Sequence, residues 1–378
     1  MVSRCDSEDI LARLIASTNY EIVRTRLPVL TGAGASFSLG YPLMANAIQK
    51  YQEFLWNLPV QETAGPSRRG RLKHYYRHLQ EELRNREEPF DLESMLGALN
   101  VHISYLERAN LSGLTSWMLG EVFAKSPIGG DPVKPLESLK DLRLSLMEFI
   151  HQVYRTPLAN PARASVSRAF LALQQALTPR RFALLTTNYD SVPDVVPSVL
   201  KSDPIDGFRS HSPDLAATWD PEEFDRFLPD SSQLPIFHLH GSASWFRIDG
   251  EIRRYRGVAR LIPGFESMLV YPGEGKDGLG ALPEPSRLGY KYLAQMASTH
   301  RLLISIGYSF RDLGIRKQLE RAAAFAQRRI RVVVIAPATS DSVVELFREP
   351  HIDGSFISGK FEDPDTWSPI LRMEIGGY

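Results

Sequence analysis

Four clusters of small and polar residues have the types and spacing to do chemistry. The first is the loop Thr31-Gly32-Ala33-Gly34-Ala35-Ser36, with Gly40-Tyr41-Pro42 close behind. Small residues between a strand and a helix let backbone N–H groups approach a phosphate at the positive end of the helix. The sixth position of a G-x-G-x-x-G fingerprint begun at Gly32 is Phe37, and no clear second strand ending in Asp or Glu follows about 20 residues later, which disfavours an ordinary dehydrogenase. The second cluster is Thr186-Thr187-Asn188-Tyr189-Asp190, where the Asn188 amide can orient a water or a hydroxyl. The third, His240-Gly241-Ser242, offers an imidazole matched to proton transfer near neutral pH. The fourth is Gly307-Tyr308-Ser309.

Each residue also has a structural reading. Asn188 and Asp190 serve equally well as caps of a helix following their strand. His240 alone fits a structural histidine, Tyr189 a packing side chain, and Asp312 either a helix N-cap or a ligand contact. Asp91 and Glu93 either open a helix or face a cleft. His238 and His240 alternate onto one side of a strand, the start of a metal pair, but no cysteine and no obvious third ligand accompany them, so no metal is expected. G-x-S-x-G is absent around Ser36, Ser242 and Ser309, which disfavours a serine hydrolase, and no carboxylate cluster suggests a metal-dependent nuclease.

Three of the clusters follow short apolar runs: Phe182–Leu185, Ile236–Leu239 and Leu302–Ile306. Leu27–Leu30 leads into the glycine loop in the same way, although Pro28 cannot donate to a ladder and is unusual inside a central strand. Met268–Val270 and Val332–Ile335 add two further expected strands, with a helix over Ile315–Arg328 before the last. Continuous apolar strands alternating with helices point to a parallel sheet, whose ligands bind outside the carboxyl ends of the strands. The stretch between is helical in character, with Tyr51–Leu58, Arg71–Arg86, Asp91–Arg108, Leu136–Tyr154 and Ser165–Leu177 separated by loops such as Ala64-Gly65-Pro66 and Pro127-Ile128-Gly129-Gly130-Asp131-Pro132. Ser7-Glu8-Asp9 followed by Ile10, Leu11, Leu14 and Ile15 reads as one more helix. The expected architecture is therefore α/β: a doubly wound parallel sheet from residues 1–42 and 180–378, with a large all-helical insertion over 43–179.

Composition narrows the function. Lys plus Arg and Asp plus Glu both number 44, so no net charge favours nonspecific nucleic-acid or membrane binding. No run of about 18 apolar residues suggests a spanning helix, and the N-terminal residues lack the apolar core of a secretory signal. Cys5 is the only cysteine, so the chain makes no internal disulfide, and the expected compartment is the reducing cytoplasm.

As a set, Gly32-Ala33-Gly34-Ala35-Ser36 with Gly40-Tyr41-Pro42, then Thr186 to Asp190, His240-Gly241 and Gly307-Tyr308-Ser309 resemble the sirtuin pattern of GAG-x-S with G-x-P, T-Q-N-x-D, H-G and G-x-S. The resemblance covers the first 42 residues and roughly 183–337, and not the helical middle. It implies a Rossmann-like fold that binds NAD+ as substrate. It would set Gly32, Ala33 and Gly34 against the pyrophosphate with Ser36 nearby. Asn188 and Asp190, with Thr187 beside them, would line the nicotinamide–ribose pocket, and His240 would reach the ribose hydroxyls. Gly307 and Ser309 would meet the phosphate or adenosine side, and the strand ending near Ala336 would pass the adenine. Asn188 and His240 are the residues expected to carry catalysis.

The chain departs from the protein-deacylating members. Those hold a zinc module with four cysteines, and Leu43-Met44-Ala45 stands where Asp-Phe-Arg follows their G-x-P. Thr187 replaces the usual glutamine, the interval from Asp190 to His240 is long and irregular, and Tyr271-Pro272-Gly273-Glu274 only loosely matches their peptide-pairing strand. The retained parts cleave NAD+, and the missing ones recognise peptides. The chain thus looks like the bacterial anti-phage defence branch, an NAD+ glycohydrolase expected to act as a homo-oligomer and to be held inactive until assembly or a partner releases it. The resemblance implies a HerA-type ATPase or an Argonaute-like protein as that partner. The competing readings are a deacylase or ADP-ribosyltransferase, and a catalytically silent scaffold that binds NAD+ or ADP-ribose.

Overall fold

Residues Arg26–Thr31 form the central strand, β1, of a sheet assembled from sequence-distant pieces. The computed structural model describes residues 19–37, 40–59, 67–111, 135–155, 159–210, 216–255, 265–270 and 282–376. The helix expected over Ser7–Ile15, the 64–66 and 127–132 loops and Tyr271–Glu274 lie outside those residues. The other sheet strands are β2 (Arg181–Thr186), β3 (Pro204–Ile205), β6 (Leu234–His238), β10 (Leu302–Ile306), β11 (Ile330–Ala336) and β12 (Ile352–Ser358). Their order is β12-β11-β10-β1-β2-β6-β3, and every neighbouring pair is parallel. Leaving out the short β3, the six longer strands run 3-2-1-4-5-6, the doubly wound dinucleotide order, in which the direction of winding reverses between β1 and β10.

Pro28 fits because β10 pairs with β1 only from Val29 onward, so no β10 partner is lost at the proline. The apolar runs are buried through their length, Val29, Leu30, Leu184, Leu185, Ile304 and Val333 each at 0% exposure, as a sheet covered on both faces requires. One face carries α1 (Tyr20–Thr25), α8 (Glu284–His300) and α9 (Leu313–Ala326), numbered in chain order. Its core includes Leu30, Leu185, Phe237, Tyr292, Met296, Leu303 and Ile315, with Phe237 and Tyr292 stacked at 4.3 Å. The other face carries α6 (Asn160–Leu177), which packs on β2, on α7 (Val192–Leu200) and on α11 (Pro364–Ile375). There Trp367, fully buried, stacks on Phe361, which meets Phe170 edge-on at 5.1 Å. Helix α10 (Asp341–Arg348) packs against β12.

Several elements differ from the sequence expectation. Met268–Val270 is not a strand; β9 is the preceding Glu266–Ser267, and the Val270 N–H donates to the His240 carbonyl at 2.8 Å. The interval between β3 and α8 contains a second, antiparallel sheet in the order β4-β5-β8-β7-β9, from Phe208–Ser210, Ala216–Trp219, Glu251–Tyr255, Trp245–Ile248 and Glu266–Ser267. It has its own small core of Phe208, Ala217, Trp245 and Met268. β7 and β8 meet at Asp249-Gly250, both with positive φ, the turn whose twist matches a hairpin.

The chain divides into two compact units, and Pro42–Val153 forms the core of the second. It contains α2 (Met44–Trp56), α3 (Arg68–Asn85), α4 (Leu92–Leu111) and most of α5 (Pro135–Tyr154). Tyr51 is its hub, with rings of Tyr76 at 5.9 Å and Phe149 at 5.4 Å, and Arg68 clamps Asp141 through two of its nitrogens. Asp91 caps α4 by accepting the Ser94 N–H at 2.9 Å, which is the structural one of its two readings. Helix α6, expected within the insertion, belongs to the first unit instead, because its apolar stripe of Val166, Phe170 and Leu173 is buried in that unit with β2 and α11.

Candidate functional site

All six longer strands run the same way, so the four polar clusters lie along one edge of the sheet, and two of them meet where the winding reverses. Gly32 donates its N–H to the Ile306 carbonyl and Gly34 to the Gly307 carbonyl, each at 2.9 Å. A Cβ on Gly34 would come 2.8 Å from the Gly307 Cα, and one on Gly32 would come 2.7 Å from the Tyr308 Cα. Gly307 itself has φ +60, and a Cβ there would sit 2.4 Å from the Ala35 nitrogen. These glycines let two loops from adjacent strands pack backbone to backbone. The loop after β1 forms a three-residue 3-10 turn, Ala33–Ala35, and not the expected helix start.

Asn188 joins the next strand to that loop. Its side-chain nitrogen donates to the Gly32 carbonyl and to the Ser36 hydroxyl, both at 2.9 Å, while its own N–H donates to the Thr186 hydroxyl at 3.0 Å. Both amide protons are therefore engaged, and the amide presents its oxygen as an acceptor. Ser36 also hydrogen-bonds Asp190, which is 3% exposed. Burial raises that carboxyl to about 6, partly offset by the hydrogen bonds from the Val192 N–H and from Ser36. The Asp190–Val192 bond at 2.9 Å opens α7, so Asp190 is both a cap and a member of the buried network. Thr187 turns inward on the neighbouring strand, its N–H meeting the Thr31 carbonyl at 3.0 Å. Ser309 is half-buried, and its carbonyl accepts from the Ser340 hydroxyl at 3.3 Å.

A second constellation lies around His240. Its Nε2 is 2.7 Å from Asp312 Oδ2 and 3.1 Å from the Tyr290 hydroxyl, which donates to the same carboxylate oxygen at 3.1 Å. The His240 and Asp312 side chains are 4% and 8% exposed. Asp312 also accepts the Gly314 N–H at 2.7 Å through Oδ1, so it is the N-cap of α9 as well as the partner of His240. The Tyr189 ring lies 6.5 Å from that of His240, and its hydroxyl donates to the Val270 carbonyl at 2.9 Å. Gly241, with φ +76, leaves no room for a Cβ, which would meet the Met268 carbonyl oxygen.

The sequence-derived residues thus fall into two groups, Gly32, Gly34, Ser36, Asn188, Asp190 and Gly307 in one and His240 in the other, with Tyr189 between Asn188 and Asp190 in the chain. Tyr290 was not anticipated, since a tyrosine at helical spacing in α8 reads as packing. His238 packs edge-on against Trp245 at 5.0 Å, and burial lowers its pKa. Among the described residues no group of three His, Cys, Asp or Glu could hold a metal ion, and no helix is long and apolar enough to cross a membrane.

The strand order and the buried polar residues beside the reversal define a doubly wound, Rossmann-like domain with its candidate site at the carboxyl edge of the sheet. Residues 183–353 match the family model described as the SIR2-like domain. Among solved structures, the chain is similar to a Sir2 homolog in complex with NAD, at 15% identity over 96% of this chain and 94% of that chain, with a TM-score of 0.43. It is also similar to a mutant Sir2 homologue in complex with ADP-ribose, at 14% identity, 94% and 96% coverage and a TM-score of 0.42. A third is Sir2Tm bound to a propionylated peptide, at 12% identity, 95% and 97% coverage and a TM-score of 0.37. No curated protein matches the chain.

Proposed function

We propose that the chain is an NAD+ glycohydrolase, converting NAD+ and water to nicotinamide, ADP-ribose and a proton. The observation that carries the reading is the anchoring of Asn188. Its two amide protons are held by Gly32 and Ser36 at the reversal of the sheet, which leaves its oxygen to accept a hydrogen bond from a water or a ribose hydroxyl. Loss of nicotinamide leaves positive charge on the ribose carbon, and buried oxygens stabilise such charge and hold the attacking water in line. The bond to nicotinamide breaks with its electron pair going to the leaving group, water forms the new C–O bond, and His240 takes the released proton. Gly32, Ala33, Gly34, Gly307 and Ser309 form the phosphate-side wall, with Thr187 and Asp190 beside the nicotinamide end. The sirtuin-like span supports NAD+ as the substrate. The single cysteine supports hydrolysis over protein deacylation, because four are needed for the deacylases' zinc module.

A free NAD+ hydrolase harms its own cell. The reading therefore includes a role in anti-phage defence, with activity released by self-assembly or by a partner such as a HerA-type ATPase or an Argonaute-like protein. The test is incubation of the purified chain with NAD+ and chromatographic resolution of the products. Free nicotinamide with ADP-ribose is expected, abolished by His240→Ala and by Asn188→Ala. Transfer of labelled ADP-ribose onto protein would replace hydrolysis by group transfer, and near-normal turnover in both variants would remove the site.

A further inference from the structure

We infer that Asp312, backed by Tyr290, is a positioning residue that fixes the tautomer of His240 and makes Nδ1 its basic atom. The inference rests on the reading of His240 as the proton acceptor. Three groups converge on one point: His240 Nε2, Asp312 Oδ2 and the Tyr290 hydroxyl, with separations of 2.7, 3.1 and 3.1 Å. The carboxylate cannot swing, because its other oxygen holds the Gly314 N–H at 2.7 Å at the start of α9. A carboxylate at a helix N-terminus is favoured in its ionised form and has only acceptor sites. The hydrogen between it and His240 therefore belongs to Nε2, and the ring's lone pair lies on Nδ1.

The architecture explains why this contact needs two elements. Asp312 follows β10, and His240 follows β6, and β1 and β2 lie between those strands. The pair thus links the two halves of the sheet over the carboxyl ends of the strands that carry the glycine loop and Asn188. A helix cap alone would be served by serine or asparagine using one oxygen. The second oxygen, buried against an imidazole and a phenol, is what distinguishes Asp312 from a cap.

Asp312→Asn separates the two roles. The new side chain still caps Gly314 through its oxygen, and its amide then faces His240 as a donor, which drives the ring to the opposite tautomer. With 15N-labelled histidine and a His240→Gln subtraction to assign the signals, the wild-type protein without NAD+ should show His240 protonated at Nε2 and bare at Nδ1. Asp312→Asn should reverse that pattern with an unchanged thermal midpoint. NAD+ cleavage in the variant should fall in kcat by at least about 100-fold, with KM within about threefold, as expected when a general base is presented in the wrong tautomer. An unchanged tautomer in Asp312→Asn, or a reversed one with full kcat, would overturn the positioning role. A wild-type protein with the expected tautomer that leaves NAD+ intact, alone and with candidate partners, would instead sink the hydrolase reading and leave the Asp312–His240 geometry standing.

Discussion

Gly307 shows how a residue without a side chain can build a site. It occupies left-handed backbone at φ +60, and a Cβ there would run into the Ala35 nitrogen and the Gly34 Cα where the two loops cross. Gly307→Ala should cost about 2 kcal/mol or more, because a backbone neighbour cannot give way as a flexible side chain would. Urea denaturation of the variant measures it, and a loss below about 0.5 kcal/mol would mean the loops are not locked together. Asp190 offers a pH signature. Its carboxyl is raised to about 6 in the fold against 3.8 for the unperturbed group, so between those values the folded state binds more protons than the unfolded one. Stability should then fall as pH rises through that window, by at most about 3 kcal/mol, and Asp190→Asn should flatten that part of the curve. A variant whose unfolding free energy keeps the wild-type slope between pH 4 and 6 would refute this.

Much of the candidate site's placement is legible in the sequence at this scale, because Gly32, Gly34, Asn188, His240 and Gly307 each follow an apolar run. What could not be read was the partnership of His240. Asp312 carries a cap signal that is complete in itself, and Tyr290 sits among core positions of α8, so neither advertises a contact that only the tertiary fold creates.

At the level of elements, the parallel strands were legible because burial on both faces demands unbroken apolar runs. The edge strand β12, Ile352-Asp353-Gly354-Ser355-Phe356-Ile357-Ser358, was not, since it is only partly buried and mixes polar residues and glycine into the run. The second sheet escapes for another reason: its strands are short, and its clearest signal, Asp249-Gly250, lies between His240-Gly241-Ser242 and Met268–Val270, where no apolar run flanks it. Helix α6 was assigned to the wrong side of a boundary because helical period says which face is apolar but not what covers it. Its cover includes α11, and Trp367 at 0% exposure is the centre of that contact. Trp367→Ala should destabilise the protein by about 3–5 kcal/mol, as large-to-small changes at such sites do. Because α11 lies on the opposite face of the sheet from α8 and α9, any NAD+ cleavage should persist in the fraction that stays folded. Loss of cleavage in fully folded protein would show that the two faces are coupled.

For the molecule as a whole, the order of the strands in space and their order in the chain are far apart. Val29 is paired with Ile304 on one side and Leu184 on the other, so the strand at the middle of the sheet is laid down first and gains its second neighbour only after about 270 residues more. A sheet of such non-local pairs closes slowly, because the chain must lose loop entropy before any pair forms. It also cannot close on a ribosome that has not yet reached Ile304. The glycine loop and Asn188 are then already made, but Gly307 is not there to meet Gly34, and Asp312 is not there to meet His240. Nascent chains and products of premature termination would carry most of the candidate site's residues without the Gly34–Gly307 and His240–Asp312 contacts. If the chain cleaves NAD+ as proposed, that activity would begin only after Gly307 and Asp312 have been made.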